Sequence, residues 1–235
     1  MNLILLFADD FISEGRVLLA GRRFTHVSSV HRAVAGDELT VGIAGGGVGV
    51  GRVITSTSDS LELDVIIDSQ PPAPLPLTLV LALPRPKVLN RVIAAATSLG
   101  VKSIHLINAW KVEKSYWGTP RLSDENLLAQ SILGLEQAKD TILPVIATHR
   151  LFRTFVEQEL PAIASGSRLI VAHPRSAVEA PRAVSTPVTL VVGPEGGFIE
   201  VEIGSLVSVG AEVVHLGKRI LRVETAVASL IGRMF

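Results

Sequence analysis

Three short segments late in the chain have the residue types of a ligand pocket built from main chain. Residues 171–175 read VAHPR, residues 193–197 read GPEGG, and residues 216–226 read LGKRILRVETA; each follows an apolar, strand-like run. Glycine lets a backbone approach a ligand closely, and the free N–H and C=O groups of such loops can read an adenine edge or a ribose. One loop of this kind is explained as a tight turn, but three together point to a pocket. In an open α/β sheet the ligand lies where loops converge at the carboxyl ends of the strands. The third segment also carries charge. Lys218, Arg219, Arg222 and Glu224 are interleaved with Leu216, Ile220, Leu221, Val223 and Ala226, which are expected in the core. Arg222 and Glu224 are costly to bury unpaired. Either they form an ion pair at a helix start, or Arg222 faces an anionic or carbonyl-bearing substrate.

The elements that must position these loops are read from periodicity. QPPAPLP, residues 70–76, is the linker candidate. Before it the pattern is mostly β: ELTVGI and VGRVITSTS flank a glycine-rich hairpin loop, and LELDVII alternates as a further strand. Phe24, Val27, Val30, His31 and Val34 stand near helical spacing and predict one short helix. A small β-barrel with one helix is expected for residues 1–72. From residue 73 to 235 strands and helices alternate. LTLVLAL (77–83), SIHLIN (103–108), RLIVAH (168–173), VTLVVG (188–193) and AEVVHL (211–216) read as strands. Pro86 opens a helix with Val88, Val92, Ala95 and Leu99 on one face and Gly100 as its stop. Ser123 caps another, with Leu128, Ile132 and Leu135 as its stripe. Residues 200–208 and 222–235 complete the helices. Unbroken apolar strands alternating with helices predict an α/β domain with a parallel sheet.

Composition narrows the function classes. The 235 residues are 48% hydrophobic and 19% charged, which supports a sizeable core and argues against disorder. The chain has no cysteine, which removes disulfide scaffolds, thiolate metal sites and cysteine nucleophiles. MNLILLFADD lacks a basic leading region, and PLPLTLVLALP is about half the length of a membrane span, so a soluble cytoplasmic protein with no membrane partner is expected. Net charge is zero but uneven: five Arg against nine Asp/Glu give −4 over residues 1–74, and the remainder carries +4. That balance argues against non-specific grip on a long nucleic acid and permits a compact site on a folded RNA. The glycines at 42, 45, 46, 47, 49 and 51 form no G-x-G-x-x-G and precede no helix, so a hairpin is the better account. The six histidines show no metal-ligand spacing, and no metal site is expected.

GPEGGF and LGKRILRVETA, at this separation, resemble the family of small-subunit ribosomal RNA uridine N3-methyltransferases, which belong to the SPOUT or trefoil-knot methyltransferases. FTHVSSVHRAVAGDEL, AATSLGV and GLEQAKDTILP extend the resemblance over nearly the whole chain. It implies a PUA-like RNA-binding β-barrel domain over residues 1–72 and a trefoil-knotted SPOUT methyltransferase domain over 73–235. It also implies S-adenosylmethionine as cofactor, 16S ribosomal RNA in the small ribosomal subunit as partner, and a homodimer. Carried over residue by residue, it places Ala172, His173, Gly193, Glu195, Gly196, Leu216, Gly217 and Leu221 around the cofactor, with Glu195 bonding loop amides or cofactor polar groups. Arg222 becomes the catalytic residue beside the transferring methyl. Arg32, Glu136, Gln137 and Arg219 fall on the substrate side. Tyr116 and Trp117, in EKSYW, are candidates for an aromatic platform under an unstacked base, or for plain loop anchoring.

The sulfonium supplies the hard chemistry, so the protein must hold uracil N3 in line and stabilise charge developing on the carbonyl oxygens, a task for Arg222. Three departures from the family pattern stand out. Ile199 replaces the usual Ser/Thr helix cap while Glu202 remains, Asp140 and Ile142 stand where arginines are common, and NLILLF lacks the family's leading arginine. The same fold and cofactor acting on another RNA, or a non-catalytic RNA-binding ribosome-assembly factor, are the alternatives.

Overall fold

The computed structural model of the chain describes residues 2–235. They group into two units, one of residues 2–73 with Ile132–Leu143, the other of Pro74–Ser131 with Pro144–Phe235.

In the first unit the strands are β1 (Ile4–Leu6), β2 (Phe11–Ser13), β3 (Arg16–Ala20), β4 (Glu38–Ile43), β5 (Val48–Ser56) and β6 (Ser60–Ser69), with helix α1 (Gly21–His26) after β3. They form one sheet in the order β1-β4-β5-β6-β3-β2, in which β1 and β4 are parallel and the other pairs antiparallel. Alternation in β5 and β6 puts Val53, Leu61, Leu63 and Val65 inside. The expected hairpin is present, and sterics explain its glycines. A Cβ at Gly49 would lie 1.9 Å from the Ile66 carbonyl oxygen, and one at Gly47 would lie 2.7 Å from that of Ser69. The helix is present and short, as expected. Phe24 and Val27 are buried, whereas Val30 and Val34, on the same helical spacing, are 63% and 61% exposed, because the helix loosens into a wide turn over Val27–His31.

The second unit is built on a sheet of six parallel strands: β7 (Leu77–Ala82), β8 (Ser103–Ile107), β9 (Val145–His149), β10 (Arg168–Ala172), β11 (Val188–Val192) and β12 (Glu212–Val214). Their order is β12-β10-β11-β7-β8-β9. The central β11 is buried at every residue, as its unbroken apolar run requires. Helix α2 (Pro86–Ser98) buries Leu89, Val92, Ile93 and Ala96, so its inward stripe is rotated from the expected one and Leu99 stays 39% exposed. Gly100, at φ +86°, stops it as expected. Helix α3 (Asp124–Ala138) is capped by Ser123, whose Oγ accepts the Asn126 N–H at 3.3 Å. In this unit it buries Leu127 and leaves Leu128 45% exposed; from Ile132 onward the helix belongs to the first unit, where Leu135 is buried with Leu3 and Leu5. Helices α4 (Glu200–Ser208) and α5 (Val223–Met234) complete the unit; α5 packs on α2.

Neighbouring β8 and β9 bring His105 and His149 together. Their facing nitrogens, Nδ1 and Nε2, are 3.0 Å apart, and His149 Nδ1 is 2.9 Å from a Glu159 carboxylate oxygen. With Glu159 accepting from His149 Nδ1–H, Nε2 is left to accept from His105 Nδ1–H. Burial and then His149 push the His105 pKa below the ordinary value. Among the described residues, no helix is long and apolar enough to cross a membrane.

Candidate functional site

The carboxyl ends of β7, β10, β11 and β12 open onto a cavity of about 1380 Å³. Its lining includes Ala172 and His173 after β10, Gly193, Glu195 and Gly196 after β11, and Leu216, Gly217, Arg219, Leu221 and Arg222 after β12. All eight residues expected around the cofactor therefore face one space, together with Arg222 and Arg219. The sequence reading missed the contributors from earlier strands, among them Arg85 after β7 and Lys111 after β8. Neither belongs to a glycine-rich motif; a cation a few residues beyond a buried strand was the available signal.

Each loop is fixed by a specific bond. The Glu195 carboxylate accepts the Arg85 N–H at 3.0 Å, tying the β11 loop to the first turn of α2, where the helix dipole favours an anion. This is the amide-bonding role expected of Glu195, with its donor on another loop. Lys111 Nζ donates to the Gly196 carbonyl at 2.8 Å, and a Cβ on Gly196 would come within 2.7 Å of the Lys111 side chain. The Gly217 N–H donates to His215 Nδ1 at 2.8 Å, with Gly217 at φ +115°. His173 donates its backbone N–H to Val214, and its Nδ1 accepts the Arg175 N–H at 3.3 Å. Burial, then Arg175 and Lys111, lower the His173 pKa and so favour the neutral ring; with Nδ1 accepting, the proton of that form is on Nε2.

The departure at Ile199 has a visible compensation. Glu202 is 6% exposed; its two oxygens accept the Ile199 N–H at 2.9 Å and the Trp110 N–H at 2.7 Å. The helix start is held by half of a capping box and by a bond to a neighbouring loop, although Ile199 offers no acceptor.

Segment 216–226 corrects one expectation. Ile220 is 85% and Leu221 37% exposed, so neither is core, and Arg222 is exposed at the N-cap of α5. Glu224 pairs with Arg91 at 3.5 Å. Arg222 and Glu224 thus do not pair with each other; the acid is paired within the unit and the arginine lines the cavity. Six basic and three acidic side chains line the space, leaving it net cationic.

The remaining candidates lie elsewhere. Arg32 is exposed, with φ +53°, and Gln137 is exposed, both in the first unit. Glu136 is 2% exposed and bonds Arg22 through both oxygens at 3.1 Å, so it is a structural anchor with no face for a substrate. Tyr116 and Trp117 are packed against the core of the second unit and are outside the cavity lining. Trp117 donates its indole N–H to Asn108 at 3.0 Å and stacks under Arg150 at 5.5 Å.

Comparison with known proteins places this arrangement. The family model for the RNA methyltransferase domain matches residues 71–234, from the linker to the end of α5. The chain belongs to the RNA methyltransferase domain family. A curated relative from Treponema pallidum, ribosomal RNA small subunit methyltransferase E, is 32% identical over 147 residues, 61% of this chain and 55% of its own length. The namesake from Mycobacterium bovis is 35% identical over 80 residues, 33% of this chain and 30% of that protein. The chain thus spans about half or less of the curated relatives it matches. Among solved structures, ribosomal RNA small subunit methyltransferase E from Neisseria gonorrhoeae, bound to S-adenosyl methionine, has a TM-score of 0.74 at 22% identity, covering 97% of this chain and 95% of that one. The structure of a "probable rRNA-methyltransferase" from Porphyromonas gingivalis gives 0.71 at 24% identity, with coverages of 97% and 95%. The second unit therefore shares with these neighbours an α/β fold built on a parallel sheet.

Proposed function

We propose that the chain is an S-adenosylmethionine-dependent methyltransferase that modifies N3 of a uridine in 16S ribosomal RNA of the small subunit. The observation that carries this reading is the convergence of three carboxyl-end loops, with Arg85 and Lys111, on one cavity lined by the residues the family resemblance names. The cavity fits such a cofactor on its own terms. Backbone groups of the β10, β11 and β12 loops face it, and Gly193 and Gly196 sit where a Cβ would meet Phe198 or Lys111. Ala172, Gly193, Gly196, Leu216, Gly217 and Leu221 hold the cofactor through main chain and apolar contact. His173 offers its Nε2–H, and Glu195 keeps the β11 loop in register.

When bound, the cofactor supplies an electrophilic methyl on a sulfonium. The protein's work is then positioning and electrostatics. The exposed Arg222 guanidinium donates to the uracil carbonyl oxygens and stabilises the negative charge that grows as the N3 proton passes to solvent water. Arg219 and the cationic lining receive RNA phosphates.

The same reading assigns residues 1–72 to a PUA-like RNA-binding domain, with Arg32 and Gln137 on its RNA side, and residues 73–235 to a knotted SPOUT domain. Supporting the first is a separate six-stranded sheet with its own core. Supporting the second is the strand order: β11 lies between the earlier β7 and β10, and β12 then lies beyond β10. A homodimer and a cytoplasmic location complete the proposal; exposed Ile220 beside the cavity suits a partner subunit.

The test is transfer of labelled methyl from S-adenosylmethionine to small ribosomal subunits lacking the modification, with the product nucleoside identified by mass spectrometry. N3-methyluridine is expected, and Arg222→Ala should lower transfer at least a hundredfold while cofactor affinity stays within about threefold. Cofactor binding with no methyl in that RNA would move the substrate elsewhere. An Arg222 variant that loses cofactor affinity and transfer alike would remove its catalytic role.

A further inference from the structure

The turn after β8 holds a feature that cofactor binding leaves unused. The Val112 N–H bonds the Ala109 carbonyl at 3.0 Å, closing a turn whose ends are buried, Ala109 at 3% and Val112 at 8% exposure. Its two central residues are Trp110 and Lys111. Lys111 reaches the cavity and bonds the Gly196 carbonyl. Trp110 is 79% exposed. Such an indole leaves a large apolar face in water, and a chain selected for stability alone gains by burying it.

Its backbone, in contrast, is firmly held. The Trp110 N–H donates at 2.7 Å to the buried Glu202 carboxylate, whose other oxygen fixes Ile199 of the cavity wall. Charge-assisted bonds of this length are among the stronger ones available. The exposed ring is thus mounted on a rigid turn at the carboxyl ends of the strands, next in sequence to a cavity-lining cation. The other tryptophan is engaged, since Trp117 bonds Asn108 through its indole N–H and lies under Arg150.

We infer that Trp110 is the stacking platform for a nucleobase of the RNA substrate beside the base being methylated, with Lys111 and Arg85 drawing the adjoining phosphates. This rests on the methyltransferase reading above. A base removed from RNA structure loses its stacking partners, and an exposed aromatic face in the same turn as a cavity-lining cation replaces one of them with no sequence requirement. The cationic lining favours RNA over an apolar protein partner on this face.

The experiment compares wild type, Trp110→Ala and Trp110→Phe for methyl transfer to small ribosomal subunits at saturating S-adenosylmethionine, together with cofactor affinity by calorimetry. Trp110→Ala should raise KM for the RNA roughly tenfold or more, with kcat and cofactor affinity within about twofold, and Trp110→Phe should recover most of the loss. An unchanged KM, a phenylalanine variant as impaired as the alanine one, or a fall in cofactor affinity overturns the inference. If the wild type binds cofactor but transfers no methyl to this RNA, the functional reading fails, and stacking is judged by binding alone. Quenching of tryptophan emission by single-stranded oligouridylate in the wild type, lost in Trp110→Phe, supports the platform; equal quenching in both, or none, overturns it.

Discussion

Two stretches of this chain are rich in glycine, and they use it for opposite reasons. In the first unit, Gly47 and Gly49 face backbone that comes too close for any side chain; the room is already taken by Ser69 and Ile66. In the second, a Cβ at Gly197 or Gly217 would meet nothing within 4 Å, yet both sit at positive φ, and Gly193 and Gly196 meet side chains at the edge of a cavity. Glycine in the hairpin lets strands approach each other. Glycine after β11 and β12 shapes a loop around open space. Composition alone cannot separate these uses. The next element along the chain can: a second strand succeeds the hairpin glycines, and a helix succeeds the loop glycines.

The largest effect should come from the crowded stretch. Gly49→Ala puts a methyl 1.9 Å from the Ile66 carbonyl oxygen and should cost about 3 kcal/mol or more, read as a lowered Tm or insoluble protein. A melt unchanged within a degree or two would show that β5 and β6 can move apart, and the contrast would fail. Gly217→Ala meets no atom but must hold φ +115°; about 1–3 kcal/mol is expected, with S-adenosylmethionine affinity falling by more than stability explains. Gly196→Ala should be mildest in stability, about 1 kcal/mol or less, because the Lys111 side chain can swing aside. It should still weaken cofactor binding, since the Lys111 bond to the Gly196 carbonyl is disturbed; calorimetry and melting together distinguish loss of site from loss of fold.

The histidines give a smaller, pH-dependent contrast. The folded-state pKa of His105 lies below the ordinary value near 6.5, so the unfolded chain binds the proton first. The stability this group contributes is complete above about 6.5 and is lost as pH falls through that value, levelling off below the lowered folded-state pKa. His105→Asn should flatten melting temperature against pH between about 7 and 5; an unchanged slope would assign the dependence to other groups.

The second unit was legible because its strands are buried on both faces and read as unbroken apolar runs. All five runs that were read as strands are strands, and Pro86, Gly100 and Ser123 mark helix ends as their chemistry requires. The β9 strand was missed: Val145 is 73% exposed, and an edge strand needs no apolar run. So was the membership of residues 132–143, since an amphipathic stripe says that a helix is buried without saying against which core. Helix phase was also misjudged, as at Leu99 and Leu128, where two apolar stripes competed and tertiary packing chose the other.

At the candidate site the glycine loops announced themselves, because ligand-shaped backbone leaves glycine in the sequence. Arg85 and Lys111 did not, because they reach the cavity by strand order, which no local pattern encodes. Ile220 and Leu221 were misplaced in the core for a related reason: an apolar residue in a loop looks the same whether it packs inward or waits at a surface.

The Glu202 carboxylate joins two loops that the sequence keeps far apart. Its oxygens hold the amides of Trp110 and Ile199, so neither can exchange its hydrogen with solvent unless the carboxylate lets go. In deuterated buffer those two amides should label together, in a single opening event, and a ligand that tightens the β11 loop should slow both. Occupancy on one side of the carboxylate would then be heard at the indole on the other as a change in timing, with no atom displaced.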